Sequence, residues 1–321
     1  MKKLYLGVDI GGTKNAVIVS DKDLNILDKV KFKSGRDIEP SILIEELLKA
    51  CEDMIRKFSD YEITSVGISC GGPLDAKKGV IYSPPNLPLW DAVHITEIFE
   101  ERLHIKAQLQ NDADACALAE WKFGNGKGCE NFIFLTFGTG LGAGLILNGQ
   151  LYSGTNGMAG EAGHIRLEDD GPEGYNKKGS FEGFCSGGGI RNLAQIVIRN
   201  KWAKGEKISF CPDEEALKEI DAKKVFEEAA NDEPTALEVV NICAEHLGKG
   251  LSILIDILNP ERIVLGGVYM RGEKLLRDKA LEVIEREALY NSQKVCTILP
   301  AGLGERIGDV SSLTIAIMND N

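Results

Sequence analysis

The sequence predicts an α/β protein of two lobes, and three observations carry that reading. Its 321 residues suit two domains of ordinary size better than one. Strand-like runs give way to helical runs, and the same order then repeats. Each half also opens on an apolar strand that turns back through glycines, Asp9-Ile10-Gly11-Gly12-Thr13 in the first and Thr136-Phe137-Gly138-Thr139-Gly140 in the second. That pairing is a weak internal repeat of architecture.

The elements follow in order. Leu4–Val8 and Ala16–Ser20 are β-rich runs on either side of the first glycine turn, and Leu24–Phe32 continues as a strand after Asp21-Lys22-Asp23. From Ile42 to Phe58, apolar side chains fall at 43, 44, 47, 48, 51, 54, 55 and 58, which is the spacing of an amphipathic helix, with Pro40-Ser41 at its start. Ile63–Ile68 is an apolar strand running into Gly71-Gly72-Pro73. In the second half Asn131–Thr136 is a strand entering Gly138, and Ala143–Leu147 is a strand closed by the Asn148-Gly149 hairpin signal. Helical patterns cover Glu214–Ala230, Thr235–Leu258 and Glu273–Ala288, and the strand Ile263–Leu265 enters Gly266-Gly267. The expected division is a first lobe over about 1–110, to which about 305–321 returns, and a second lobe over 111–304.

Bulk composition narrows the function classes. Apolar residues make up 43%, enough for a sizeable core, and the 27% charged residues form no long block of one sign, so a folded chain is expected. A formal net charge of −12 argues against nucleic acid as a partner. No stretch of 18 apolar residues occurs, which excludes a spanning helix, and the N-terminus has no signal-peptide pattern. The eight cysteines are isolated, with neither a zinc-knuckle nor a CxxC spacing. Reduced cysteines in a cytoplasmic protein are the expectation.

The two glycine turns suit a nucleotide phosphate. Glycine lets backbone N–H donors approach closely, and Thr13 and Thr139 add hydroxyls. Asp9, at the end of a strand, is a hard oxygen ligand able to hold Mg²⁺ directly or through water. A Walker P-loop is absent. Gly138-Thr139-Gly140 loosely matches a dinucleotide fingerprint, but a β run follows it where a helix is required, which argues against a dehydrogenase.

Four segments together resemble the ROK family of sugar kinases and repressors: Asp9-Ile10-Gly11-Gly12-Thr13-Lys14, Asn111-Asp112-Ala113-Asp114-Ala115, the Thr136–Gly144 loop and Glu161-Ala162-Gly163-His164. The likeness runs in the family's order from the first strand to about Gly267. It implies an actin-like, hexokinase-like (ribonuclease H-like) ATPase fold with a cleft between lobes. It also implies ATP with Mg²⁺, a hexose or amino-hexose phosphorylated on its hydroxymethyl oxygen, and a possible homodimer. By the same resemblance Asp112 matches the general base, and Asn111, Glu161, His164, Glu182 and Asn86 match sugar ligands. Gly11, Gly12, Thr13, Lys14, Thr139 and Gly140 match the phosphate loops, while Gly187, Gly188, Gly266 and Gly267 match turns near the adenosine.

One departure from the family stands out. ROK proteins usually carry a zinc site in which the histidine matching His164 is joined by cysteines, and here Glu173, Tyr175 and Ser180 fall in their places. One imidazole, a carboxylate and hydroxyls make a poor tetrahedral zinc site, so no structural zinc is expected and packing through Tyr175 and Phe181 is expected to hold the loop.

Sugar hydroxyls each want a donor and an acceptor, which carboxylates and amides supply at fixed angles. Asp112 would accept the proton of the attacking hydroxyl, with most of the rate coming from positioning and charge stabilisation. Asn111-Asp112 also reads as a cap for the following helix, a role compatible with catalysis. The alternative is a non-catalytic, sugar-responsive regulatory protein of the same family. Such repressors carry an N-terminal helix-turn-helix, and none is expected in the few residues before Leu4.

Overall fold

The computed structural model describes residues 2–320 and divides into two compact units. One takes the chain up to Lys127, the segment Leu151–Ala159 and the segment from Glu305. The other takes Gly128–Gln150 and Gly160–Gly304.

The first unit runs β1 (Lys3–Ile10), β2 (Lys14–Ser20), β3 (Ile26–Lys33), α1 (Pro40–Lys57), β4 (Glu62–Cys70), the short β5 (Leu74–Asp75), β6 (Val80–Ile81) and β7 (Val93–His94), α2 (Ile95–Leu103), β8 (Lys106–Asn111) and α3 (Asp112–Phe123). Its main sheet has the order β3-β2-β1-β4-β8. β2 runs antiparallel to β1, whereas β4 and β8 run parallel to it. In register, Asp9 lies opposite Ser69 and Ser69 opposite Gln110, so Asp9 and Asn111-Asp112 emerge at one edge, the carboxyl ends of three parallel strands. Ligands of open α/β sheets bind outside that edge.

Leu4, Leu6 and Val8 of β1 pack with Leu43, Leu47, Cys51 and Met54 of α1 in the core of this unit. Pro40 occupies the first turn of α1, where its missing N–H costs nothing.

The second unit runs β9 (Phe132–Phe137), β10 (Leu141–Leu147), β11 (Gln150–Leu151), β12 (Glu173–Gly174), β13 (Lys177–Lys178), α4 (Phe181–Cys185), α5 (Gly187–Ala203), α6 (Glu214–Lys218), α7 (Ala222–Ala230), α8 (Pro234–Leu258), β14 (Arg262–Leu265), α9 (Tyr269–Glu287), α10 (Tyr290–Gln293) and β15 (Thr297–Pro300). The sheet order is β11-β10-β9-β14-β15, with β14 parallel to β9. Leu135 lies opposite Leu265, so the Gly138 turn and Gly266-Gly267 leave the sheet at the same edge. Asn148 and Gly149 both take positive φ in the β10–β11 turn, as their hairpin signal predicts.

A last helix, α11 (Ile307–Asn319), returns to the first unit and packs on β1, β4 and α3. The approach is close: a methyl group on Gly67 of β4 would come within 2.1 Å of the Ser312 carbonyl oxygen.

The expected helix over 214–230 is in fact two. Asp221 starts the second by accepting the Lys224 N–H at 2.8 Å, which ends the run of α6. All eight cysteines are unpaired, and six are buried. No helix among the described residues is long and apolar enough to cross a membrane.

Candidate active site

In the first unit, five loops gather at the carboxyl edge of the sheet. Asp9 ends β1. In the turn that follows, Gly11 N–H donates to Asn15 Oδ1 at 3.0 Å, and Thr13 and Lys14 are exposed. Gly12 sits against Asn86, whose Cβ would be 2.4 Å from a methyl group placed on the glycine. Buried Leu87 and Trp90 anchor the Asn86 loop, leaving Asn86 itself exposed.

Asn111 caps α3. Its Oδ1 accepts the N–H of Ala113 at 2.9 Å and that of Asp114 at 3.5 Å. Asp112 is therefore the first helical residue, where the helix dipole favours a carboxylate. Its Oδ1 also accepts the Ala113 N–H at 2.8 Å. Gly71-Gly72 lies alongside, with methyl positions 3.9 Å from Asp112 Oδ2 and 3.1 Å from Asn111 Nδ2.

Both aspartates hold protons more tightly than usual. Burial, then the charge of Asp112, then that of Asp309, pushes Asp9 up to about 7, against the opposing effect of Lys29. Asp112 has an exposed side chain and still a raised pKa. Solvent reaches it from one side, while the protein around it desolvates the charge, opposed by the N–H of Ala113 and its own N–H.

The charge of Asp112 bears on Asp9, whereas the rise of Asp112 itself comes from burial, and a cation near Asp9 would relieve the negative charge there. Magnesium on a nucleotide needs only one or two carboxylates, the rest of its shell being phosphate and water, so Asp9 and Asp112 fit that mode. A cage of three or more His, Cys, Asp or Glu side chains is absent among the described residues.

Asp114 was not singled out in the sequence. Its buried carboxylate accepts the Ser153 hydroxyl at 2.8 Å and Gln110 Nε2 at 3.2 Å, tying Leu151–Ala159 to α3. Burial pushes it up to about 6. The signal was a carboxylate among the alanines 113, 115 and 117, all of them buried.

In the second unit the predicted residues converge on the Gly138–Gly140 turn. Gly138 N–H closes the turn onto Gly140 O at 2.9 Å, and Thr139 is exposed. Gly187 N–H donates to Gly138 O at 2.8 Å and Gly188 N–H to Thr139 O at 3.2 Å. These glycines open helix α5, and their N–H groups hold the loop. Val268 N–H donates to Phe137 O at 2.7 Å, carried there by the Gly266-Gly267 bend. Glu182 Oε2 accepts the Leu141 N–H at 2.9 Å.

Glu161 and His164 flank a single 3₁₀ turn, Ala162–His164, and both are exposed. The segment beyond is a hydrogen-bonded hairpin of β12 and β13. Its turn residues Tyr175 and Asn176 have φ of 39° and 60°. Lys177 Nζ donates to His164 O at 2.7 Å, and Arg166 Nη1 to Lys178 O at 2.8 Å. Phe181 is fully buried, but Tyr175 is 67% exposed, its ring edge-on to that of His164 at 6.5 Å between centroids. Of the two aromatics expected to hold this loop by packing, only Phe181 lies in the core. Glu173 is exposed and Ser180 caps α4, its hydroxyl accepting the Gly183 N–H at 3.1 Å.

Fold and site define an α/β protein with a glycine turn at the head of each unit and an aspartate leading the helix beside the first. The chain belongs to the ROK family, whose pattern covers residues 5–317. A glucokinase of Streptomyces coelicolor is 30% identical over 315 residues, 98% of this chain and 97% of that protein. The DNA-binding transcriptional dual regulator NagC of Escherichia coli is 27% identical over 321 residues, 98% of this chain and 76% of that one. A solved ROK family glucokinase of Streptomyces griseus, in complex with glucose and AMPPNP, is 29% identical. The match covers 98% of this chain and 99% of that one, with a TM-score of 0.77. The fold is the actin-like, hexokinase-like α/β fold that the sequence predicts.

Proposed function

We propose that the protein is an ATP-dependent kinase of a hexose or amino-hexose, with Asp112 as general base. The observation that carries this reading is the setting of Asp112, held at the head of α3 by the Asn111 cap, open to solvent, and beside Asp9 and the first glycine turn. The likeness to glucokinases supports it.

Asp112 would take the proton of the hydroxymethyl group as its oxygen attacks the γ-phosphorus. Asn86, Asn111, Glu161, His164 and Glu182 would bind sugar hydroxyls, as the family resemblance implies. A sugar lacking one of them would leave a polar group unpaired, and this gives selectivity. Gly11, Gly12, Thr13, Lys14, Thr139 and Gly140 would hold phosphate oxygens, with Gly266-Gly267 bordering the adenosine. Gly187 and Gly188 would act on the nucleotide through the loop that they tether. Bound with the nucleotide, Mg²⁺ would neutralise charge on the phosphates, with Asp9 holding it directly or through water.

A sugar-responsive regulator is the second reading, favoured by the likeness to NagC. It would have no use for an aspartate held open to solvent at the head of α3. The test is release of ADP from Mg²⁺-ATP across a panel of hexoses and amino-hexoses, with Asp112→Asn as control. Turnover of one sugar that the substitution abolishes supports the kinase. Sugar binding without any turnover supports the regulator.

A further inference from the structure

The Glu182 side chain runs through a slot walled by three glycines from three different loops. A methyl group on Gly174, in the hairpin, would come 2.9 Å from Glu182 Cγ. One on Gly163, between Glu161 and His164, would come 3.2 Å from Glu182 Cβ, and one on Gly140, in the phosphate turn, 2.6 Å from Oε2. At the end of the slot Oε2 accepts the Leu141 N–H at 2.9 Å. The backbone carrying Glu182 is fixed on both sides. Ser180 accepts the Gly183 N–H at 3.1 Å, Ser186 accepts the Gly189 N–H at 2.9 Å, and Phe181 is fully buried. Part of the Glu182 surface is still accessible.

We propose that Glu182 couples the sugar to the nucleotide, one carboxylate touching the acceptor while it sets the position of the Gly138–Gly140 turn. This rests on the kinase reading, in which Glu182 binds a sugar hydroxyl. A hydrogen bond from that hydroxyl fixes the carboxylate, the fixed carboxylate fixes Leu141 N–H, and the turn next to it presents Thr139 to the phosphates. The glycines are part of the device: a methyl group at 140 would strike Oε2 first, and at 163 and 174 it would first strike the Leu141 carbonyl oxygen at 2.2 Å and the Gly183 nitrogen at 2.6 Å, the backbone that holds Glu182 and its partner. Coupling of this kind is reciprocal, so the nucleotide must tighten sugar binding by the same factor.

The test is calorimetric binding of AMPPNP with Mg²⁺, with and without saturating glucose, or the panel sugar that the enzyme turns over in its place. In the wild-type protein the sugar is expected to tighten AMPPNP by about fivefold or more. Glu182→Asp keeps the charge but falls short of Leu141. It is expected to bring the factor close to one while both ligands still bind singly. Glu182→Gln keeps an acceptor for Leu141 N–H and is expected to retain most of the factor while binding sugar more weakly. Amide exchange over 138–141, slowed by sugar in the wild type and unresponsive in Glu182→Asp, reads the same link without nucleotide. A wild-type enzyme that phosphorylates a sugar yet shows no coupling overturns the proposal, as does Glu182→Asp with the full factor. A wild-type protein that phosphorylates no sugar overturns the kinase reading, and the coupling with it.

Discussion

Asp112 lies close enough to Asp9 for its charge to add to burial in pushing the Asp9 carboxyl up to about 7. The ordinary value is 3.8, so between the two the folded protein binds a proton that the unfolded chain releases. Stability contributed by Asp9 is present below the lower value and is lost as pH rises through the upper one. Asp114, pushed up to about 6, acts in the same direction over the lower part of the range. Metal-free protein should therefore melt at falling temperature from about pH 5 to about pH 7.5. Asp9→Asn should flatten the upper part of that fall, and Mg²⁺-ATP should raise the wild-type melting temperature most at the alkaline end. An unchanged slope in Asp9→Asn, followed by differential scanning fluorimetry, would count against this account.

Asp112→Asn should lower kcat by about 10²–10⁴-fold, the range for loss of a general base. Binding of sugar and nucleotide should survive, because the Asn111 cap and the loops are untouched. Asn111→Ala removes the acceptor for two helix N–H groups and should cost about 1 kcal/mol in urea unfolding, in addition to any loss of sugar affinity. If Asp112→Asn leaves kcat within about threefold of wild type, far short of that range, Asp112 is not the base.

Much of this arrangement was legible in the sequence, and the exceptions have physical causes. The strands β1, β2, β9 and β10 and the helices α1 and α8 declared themselves by period, since each buries one face or both. α5 was missed because it opens on Gly187-Gly188-Gly189, which read as a turn, while in the fold Ser186 caps it and its first N–H groups grip the Gly138–Gly140 turn. α11 was missed because it buries Ser311, Ser312 and Thr314 as well as apolar residues, which blurs the stripe. The candidate site residues stand out as motifs, but their links do not. Nothing in the spacing of Leu141 and Glu182, or of Asp114 and Ser153, shows that they meet, because whole elements intervene: β10, the 3₁₀ turn and the β12–β13 hairpin in the first pair, α3, β9 and β10 in the second.

Gly267 has φ of +63°, and a methyl group there would come within 2.1 Å of the Phe137 carbonyl oxygen. That oxygen also accepts Val268 N–H, so the bend cannot move away without breaking a loop contact. Gly267→Ala should cost about 1–3 kcal/mol of stability and weaken AMPPNP binding. Gly304→Ala is the control, with φ of +56° but open space around the position. It should cost only the left-handed strain, about 1–2 kcal/mol, and leave AMPPNP affinity alone. Equal losses in the two variants, by urea unfolding and calorimetry, would show that φ alone, and not contact with the loop, sets the cost.

The hairpin after His164 should do without metal what zinc does in other ROK proteins. Lys177 Nζ holds the carbonyl of His164, Arg166 holds that of Lys178, and Phe181 is buried behind them. Dialysis against a strong zinc chelator, followed by return of Mg²⁺, should leave both melting temperature and activity unchanged, with metal analysis showing far less than one zinc per chain. Lys177→Met should act locally. Its hydrogen bond is at the surface, so loss of stability should stay within about 0.5–1.5 kcal/mol. The His164 backbone would lose its tether, and on the kinase reading, in which His164 binds sugar, the KM for sugar should rise several-fold with little change in kcat. Activity that falls on chelation and returns only with zinc would mean that the loop recruits a metal despite its sequence. A Lys177→Met enzyme with an unchanged KM would mean that His164 is held by its own 3₁₀ turn.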